Sequence, residues 1–123
     1  MDKYSWYIYL IRMVDRKLVS KAEDFAKKML SVKSHLIVSH VDADGVTSAC
    51  ELALAFEELG YENEIMFVER FIISIDSIAE KASKYDGVIV CDLGDCIKAA
   101  NSFVEKVNKP LFIIDHHEPP ENL

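Results

Sequence analysis

The chain has 123 residues, half of them apolar, with 21 acidic against 14 basic residues and a net charge of −7. That length is enough for one domain with a real core and excludes a second full one, and the charge is opposite to the basic footprint of a free-standing nucleic-acid binder. Cys50, Cys91 and Cys96 form neither a C-x-x-C pair nor an even framework, which points to a reducing, cytoplasmic setting with buried or idle thiols.

The first apolar segment, Trp6 to Met13, is interrupted by Arg12 and followed by Asp15, Arg16 and Lys17. It is too short and too charged to span a bilayer, and no small-residue cleavage signature follows it, so no membrane association is expected. Tyr4, Trp6, Tyr7 and Tyr9 are expected to pack on the flank of the domain; if exposed, they mark a dimer or partner surface. Residues 20–32 place Ala22, Phe25, Ala26, Met29 and Leu30 at helical spacing behind Ser20 as the N-cap.

His35 to Ser39 is an apolar run suited to a strand buried on both faces, and Val46 to Leu59 follows as a helix closed by Gly60. Glu64 to Val68 predicts a second strand, and Ser74 to Tyr85 a second helix in this core, with Ile75, Ile78, Ala79 and Ala82 on one face. Gly87 to Cys91 predicts a third strand, 96–108 a helix with Ile97, Ala100, Phe103, Val104 and Val107 inward, and Pro110 to Ile114 a fourth strand. This alternation with short connections predicts an α/β fold: an open, Rossmann-like parallel sheet with helices on both faces. A helical segment at 1–33 is expected to pack on a domain at 34–123.

Three polar clusters fall at the carboxyl ends of these strands: His40, Asp42 and Asp44; Asp92; and Asp115, His116 and His117. Open α/β sheets place their sites at that edge, and carboxylate with imidazole is the donor set of Mn²⁺, Mg²⁺ and Zn²⁺, so a metal centre is the leading expectation. Taken singly the signals are weak. Asp44 alone reads as an N-cap, and Asp92-Leu93-Gly94 alone as a turn. The adjacent imidazoles of His116-His117 are the most specific element, because packing seldom calls for such a pair.

Neighbouring residues have blander readings. Asp95 is expected to cap the helix from Cys96, His35 to lie on the surface, and Cys91 to be a buried thiol facing away from Asp92. Ser39, Thr47 and Ser48 are helix-start hydroxyls that cap or touch phosphate, and Glu69 with Arg70 reads equally as a solvated pair or as a phosphate contact.

His40-Val41-Asp42-Ala43-Asp44-Gly45, Asp92-Leu93-Gly94 and Asp115-His116-His117-Glu118-Pro119 resemble, in order and context, three motifs of the DHH phosphoesterase superfamily. The Asp-Ala-Asp-Gly form is most similar to the RecJ-like single-strand nucleases. The resemblance implies a two-metal Mn²⁺ or Mg²⁺ site, with His40 and Asp42 on one ion, Asp44 and His116 on the other, and Asp92 shared. Two such ions lie about 3.5–4 Å apart and need a bridging carboxylate. His117 would contact the scissile phosphate, while Asp115 orients an imidazole N–H from outside the metal shell. Gly45 allows the tight turn into the following helix.

The family's fourth motif, a further aspartate, and its basic second domain have no counterpart before Leu123. An incomplete domain is therefore expected, with an incomplete ligand shell and weaker binding at the second metal, and weak or no turnover by this chain alone. The implied substrate of the complete protein is single-stranded nucleic acid or an oligonucleotide. The alternatives are a non-catalytic interaction module of a replication or repair assembly, and a phosphatase of small substrates such as pyrophosphate or cyclic dinucleotides.

Overall fold

The computed structural model describes residues 15–117, so the aromatic stretch at 4–11 and the Glu118-Pro119 motif tail lie outside the described residues. The chain divides into two units, Met1–Ser31 and Val32–Leu123. In the first, helix α1 spans Arg16–Leu30. Its N-cap is Asp15, whose carboxylate accepts the Lys17 N–H at 2.8 Å. Ser20, expected to cap, is instead inside the helix, because the Asp15 carboxylate upstream captures a first-turn donor and lets the helix begin earlier.

The second unit runs β1 (Ser34–His40), α2 (Ala43–Glu58), β2 (Glu62–Val68), a 3₁₀ turn (Ile72–Ser74), α3 (Ile75–Ala82), β3 (Gly87–Cys91), α4 (Cys96–Val107) and β4 (Leu111–Ile114). The strands form one parallel sheet in the order β2-β1-β3-β4. From β1 the chain crosses to one side for β2 and then to the other for β3. The carboxyl ends of β1 and β3 therefore flank the point where strand order reverses, where sheets of this kind leave a crevice.

Strand alternation divides the apolar residues between two faces. Leu36 and Val38 of β1 with Val88 and Val90 of β3 pack with Ile78 and Ala82 of α3 and with Phe103 of α4. Phe71 meets Phe103 edge-on at a centroid distance of 5.2 Å, closing that layer. On the opposite face α2 packs over β1 and β2. There His35 is fully buried and stacked on Phe56 at 4.4 Å, with Tyr61 beyond. His35 is thus a core residue and not the surface residue expected; its imidazole serves as a flat ring between sheet and helix.

Three helix details differ from expectation. α3 is shorter, ending at Ala82, because Lys109 Nζ donates to the carbonyls of Ala82 and Tyr85 and caps that end. The buried stripe of α4 is Cys96, Ala99 and Phe103, while Val104 is exposed and Ile97 and Ala100 are half-buried. The small Cys96 and Ala99 allow close approach to the sheet, and Cys here packs as a small hydrophobe. α2 begins at Ala43, three residues earlier than its apolar pattern indicates, with Asp42 and not Asp44 as its N-cap. Gly60, at φ 76°, follows that helix in the left-handed conformation that favours glycine. Among the described residues no helix is long and apolar enough to cross a membrane.

Candidate metal centre

The turn from β1 to α2 is built tightly. A Cβ on Gly45 would lie 2.1 Å from the carbonyl oxygen of His40, so only glycine lets the first turn of α2 rest on the end of the strand. Asp42 Oδ1 accepts the Gly45 N–H at 2.9 Å, and Asp42 Oδ2 faces His40 Nδ1 at 2.9 Å. The backbone bond from Gly45, and after it the bond from His40, pull the Asp42 carboxyl down to about 2. Asp44 lies in the first turn of α2, exposed, with Oδ2 3.8 Å from His116 Nε2.

Asp92 follows the last residue of β3 and has φ 55°, a left-handed conformation that aspartate tolerates better than most residues. Its N–H is held by the Ile114 carbonyl at 3.1 Å, which ties it to β4. The side chain is 5% exposed. Oδ1 lies 2.8 Å from His116 Nε2 and 3.9 Å from His117 Nδ1, whereas Oδ2 is buried with no hydrogen-bond donor. Burial, followed by the neighbouring Asp42 carboxylate, raises the Asp92 pKa.

At the end of β4, Asp115 Oδ1 accepts the His116 N–H at 2.9 Å and meets His117 Nδ1 at 2.5 Å. A carboxylate only accepts, so Nδ1 of His117 carries the proton and Nε2 is left for another partner. The hydrogen bond and charge of Asp115 raise the His117 pKa above its ordinary 6.5. Gly94 leaves room for this ring: a Cβ there would stand 3.3 Å from His117 Cγ.

Two groups of possible ligand atoms result, each with its atoms within 4.8 Å of one another: His40, Asp42 and Asp92; and Asp92, Asp115, His116 and His117. Asp92 is common to both. Asp44 is outside these groups but reaches His116. An open cleft of about 480 Å³ between α2 and β4 is lined by Asp44, Thr47, Ser48, Asp92, Ile114 and His116 among others, and a smaller one of about 150 Å³ by His40, Asp42, Glu69, Asp92 and His117 among others. The residues fit a divalent cation. Their donors are carboxylate oxygen and imidazole nitrogen, and the buried, donorless Asp92 oxygen is a polar atom that a cation would satisfy.

Residues near the centre take parts that local pattern could not assign. Asp95 precedes α4 but makes no side-chain cap bond there; its oxygens accept the Phe71 and Ile72 N–H groups at 3.1 and 3.0 Å, clasping the β2–α3 loop to the β3–α4 loop. Glu69, one residue beyond β2, belongs to the wall of the smaller cleft. Its only sequence signal was its place at a strand end. Ser39 is buried, with Oγ 2.8 Å from the Gly45 carbonyl and 3.1 Å from that of Cys91, so it caps no helix. Cys91 is a buried thiol, pushed up to about 12 by burial.

The family profile described as "DHH family, N-terminal domain" matches residues 34–123. Among solved structures, the crystal structure of RecJ in complex with Mn²⁺ from Thermus thermophilus is similar at a TM-score of 0.60 and 18% identity. That likeness covers 87% of this chain and 16% of the RecJ chain. No curated protein matches the sequence.

Proposed function

The chain belongs to the DHH family, and from that membership and the strand-end cluster we propose that it is a metal-dependent phosphodiester hydrolase domain of the RecJ-like kind. The carrying observation is Asp92: one oxygen faces His116, the other is buried without a donor, and the side chain is within ligand distance of His40 and Asp42.

In this reading His40, Asp42 and Asp92 hold one Mn²⁺ or Mg²⁺ ion, and Asp44, His116 and Asp92 the other. Such ions supply positive charge against the charge developing on the phosphoryl oxygens and acidify water. The chain's own groups prepare the place. The Gly45 N–H keeps Asp42 ionised, and Asp115 holds the His117 Nδ1–H and favours the imidazolium, whose Nε2–H is then the donor offered to a phosphate oxygen. The N-terminus of α2 adds the positive end of a helix dipole at the same edge.

The substrate class proposed is single-stranded nucleic acid or a short oligonucleotide. Because the chain spans 16% of the RecJ chain it matches, metal binding by these residues is the primary readout and turnover the second. Calorimetry with Mn²⁺ on the 123-residue chain and on Asp92→Ala tests the site: saturable binding lost in the variant supports it, and equal binding in both defeats it. Turnover assays on a single-stranded oligonucleotide, pyrophosphate and a cyclic dinucleotide then separate substrate classes, with preference for pyrophosphate overturning the nuclease-like assignment.

A further inference from the structure

We infer that Ser39 is a positioning residue of the metal centre, its hydroxyl bracing together the two chain segments that carry the ligands. The inference rests on the metal-site reading above and extends it to a residue outside the ligand set.

Ser39 is 0% exposed and pairs in register with Cys91 on the neighbouring strand. The residue after Ser39 is His40, and the residue after Cys91 is Asp92. Its Oγ lies within 2.8 Å of the Gly45 carbonyl and 3.1 Å of the Cys91 carbonyl, so a single proton is shared between the start of α2 and the end of β3. Gly45 is also the residue whose N–H holds Asp42. The Ser39 hydroxyl and the Asp42 carboxylate thus grip one residue from its two sides.

The crevice between β1 and β3 needs such a tie. Carboxyl oxygens of Asp42 and Asp92 lie within 4.8 Å of each other across it, so one cation can reach both only if their supporting segments do not separate. A neutral donor buried behind them, bonded to backbone on both sides, opposes that separation without competing for the cation. Partners behind metal ligands that fix their geometry are typically worth about 10- to 100-fold in metal affinity.

The alternative is that Ser39 merely satisfies buried carbonyls. Ser34 provides the control: it is buried in the same strand at the opposite end of the sheet, where its Oγ accepts the Asp86 N–H at 2.9 Å. Mn²⁺ affinity by calorimetry and thermal midpoint are measured for the 123-residue chain and for Ser39→Ala, Ser39→Cys, Ser39→Thr and Ser34→Ala. Both alanine variants are expected to melt earlier, but only Ser39→Ala to lose about 10-fold in Mn²⁺ affinity. Ser39→Cys, a weaker donor of similar size, should fall between and serves if Ser39→Ala does not fold; Ser39→Thr, which keeps the hydroxyl, should restore affinity. Unchanged affinity in Ser39→Ala and Ser39→Cys, or equal losses in Ser39→Ala and Ser34→Ala, overturns the inference while leaving the metal site standing. Absence of Mn²⁺ binding by the unaltered chain overturns the metal site itself, and this inference with it.

Discussion

Asp92 and His116 meet at 2.8 Å through Asp92 Oδ1 and His116 Nε2, while the second Asp92 oxygen is buried without a donor. One side chain therefore joins two strand ends and still has an unsatisfied oxygen. Burial and the nearby Asp42 carboxyl make ionised Asp92 costly to the fold, and a bound cation would offset that cost.

Asp92→Asn should separate these two effects. The carboxamide removes the like-charge contact with Asp42, can donate to it, and suits φ 55° at least as well as aspartate. Without metal the variant should melt no earlier than the unaltered chain, whereas its Mn²⁺ affinity should fall by ~100-fold or more, because a negatively charged oxygen donor common to both ligand groups would be lost. Calorimetry paired with melts in chelator checks both, and a variant that is destabilised yet binds Mn²⁺ normally would contradict the assignment.

Two glycines make contrasting predictions. In Gly45→Ala the new Cβ would sit 2.1 Å from the backbone oxygen of His40, which has nowhere to go without moving the strand end. A cost of about 3 kcal/mol, together with loss of Mn²⁺ binding, is expected by denaturant melts and calorimetry. In Gly94→Ala the nearest atoms to the Cβ belong to the His117 side chain, at 3.3 Å, and that side chain is half exposed. Stability should change by less than about 0.5 kcal/mol, but the His117 imidazole resonances should shift.

The pairing of Asp115 with His117 fixes a sign for pH dependence. The folded pKa of His117 is raised above 6.5, so the pair's contribution is fully present below pH 6.5 and is lost as pH rises through the folded value. Asp115→Asn should lower the His117 midpoint in an NMR titration. The melting difference between this variant and the unaltered chain should be larger at about pH 6 than at about pH 8. The opposite ordering would show that Asp115 does not stabilise the imidazolium.

Far from the centre, Glu64 gives a prediction of opposite sign. Lys81, at 2.6 Å, and the Tyr85 hydroxyl lower its pKa below 4.5. Its contribution is present above pH 4.5 and is lost as pH falls through the folded value. Glu64→Gln should therefore lower the melting temperature modestly at about pH 7 and progressively less toward about pH 3, an exposed ion pair contributing little in any case. A gap that widened on acidification would disprove the pairing.

Much of the fold and of the centre can be read from order along the chain. Strands such as Gly87–Cys91 must be apolar throughout because both faces of a parallel sheet are covered, and glycine and proline punctuate their ends for local backbone reasons. Whatever polar residues stand at those ends are then carried to one edge of the sheet. His40, Asp42, Asp92 and His116 could be nominated from the chain alone, because a parallel sheet aligns all its carboxyl ends.

Side chains whose partners lie far along the chain could not be read this way. An aspartate before a helix has the local signature of a cap, yet Asp95 spends its oxygens on Phe71 and Ile72; a histidine at a strand start looks solvated, yet His35 lies against Phe56. Glu69 and Ser39 have only their place at a strand end as a signal, and that place fits several roles equally well. Periodicity and turn chemistry act between near neighbours and so are written in the chain itself. Which donor meets which acceptor, and whether a charge is left without one, depends on groups that become neighbours only when the strands align, and tertiary packing alone decided that.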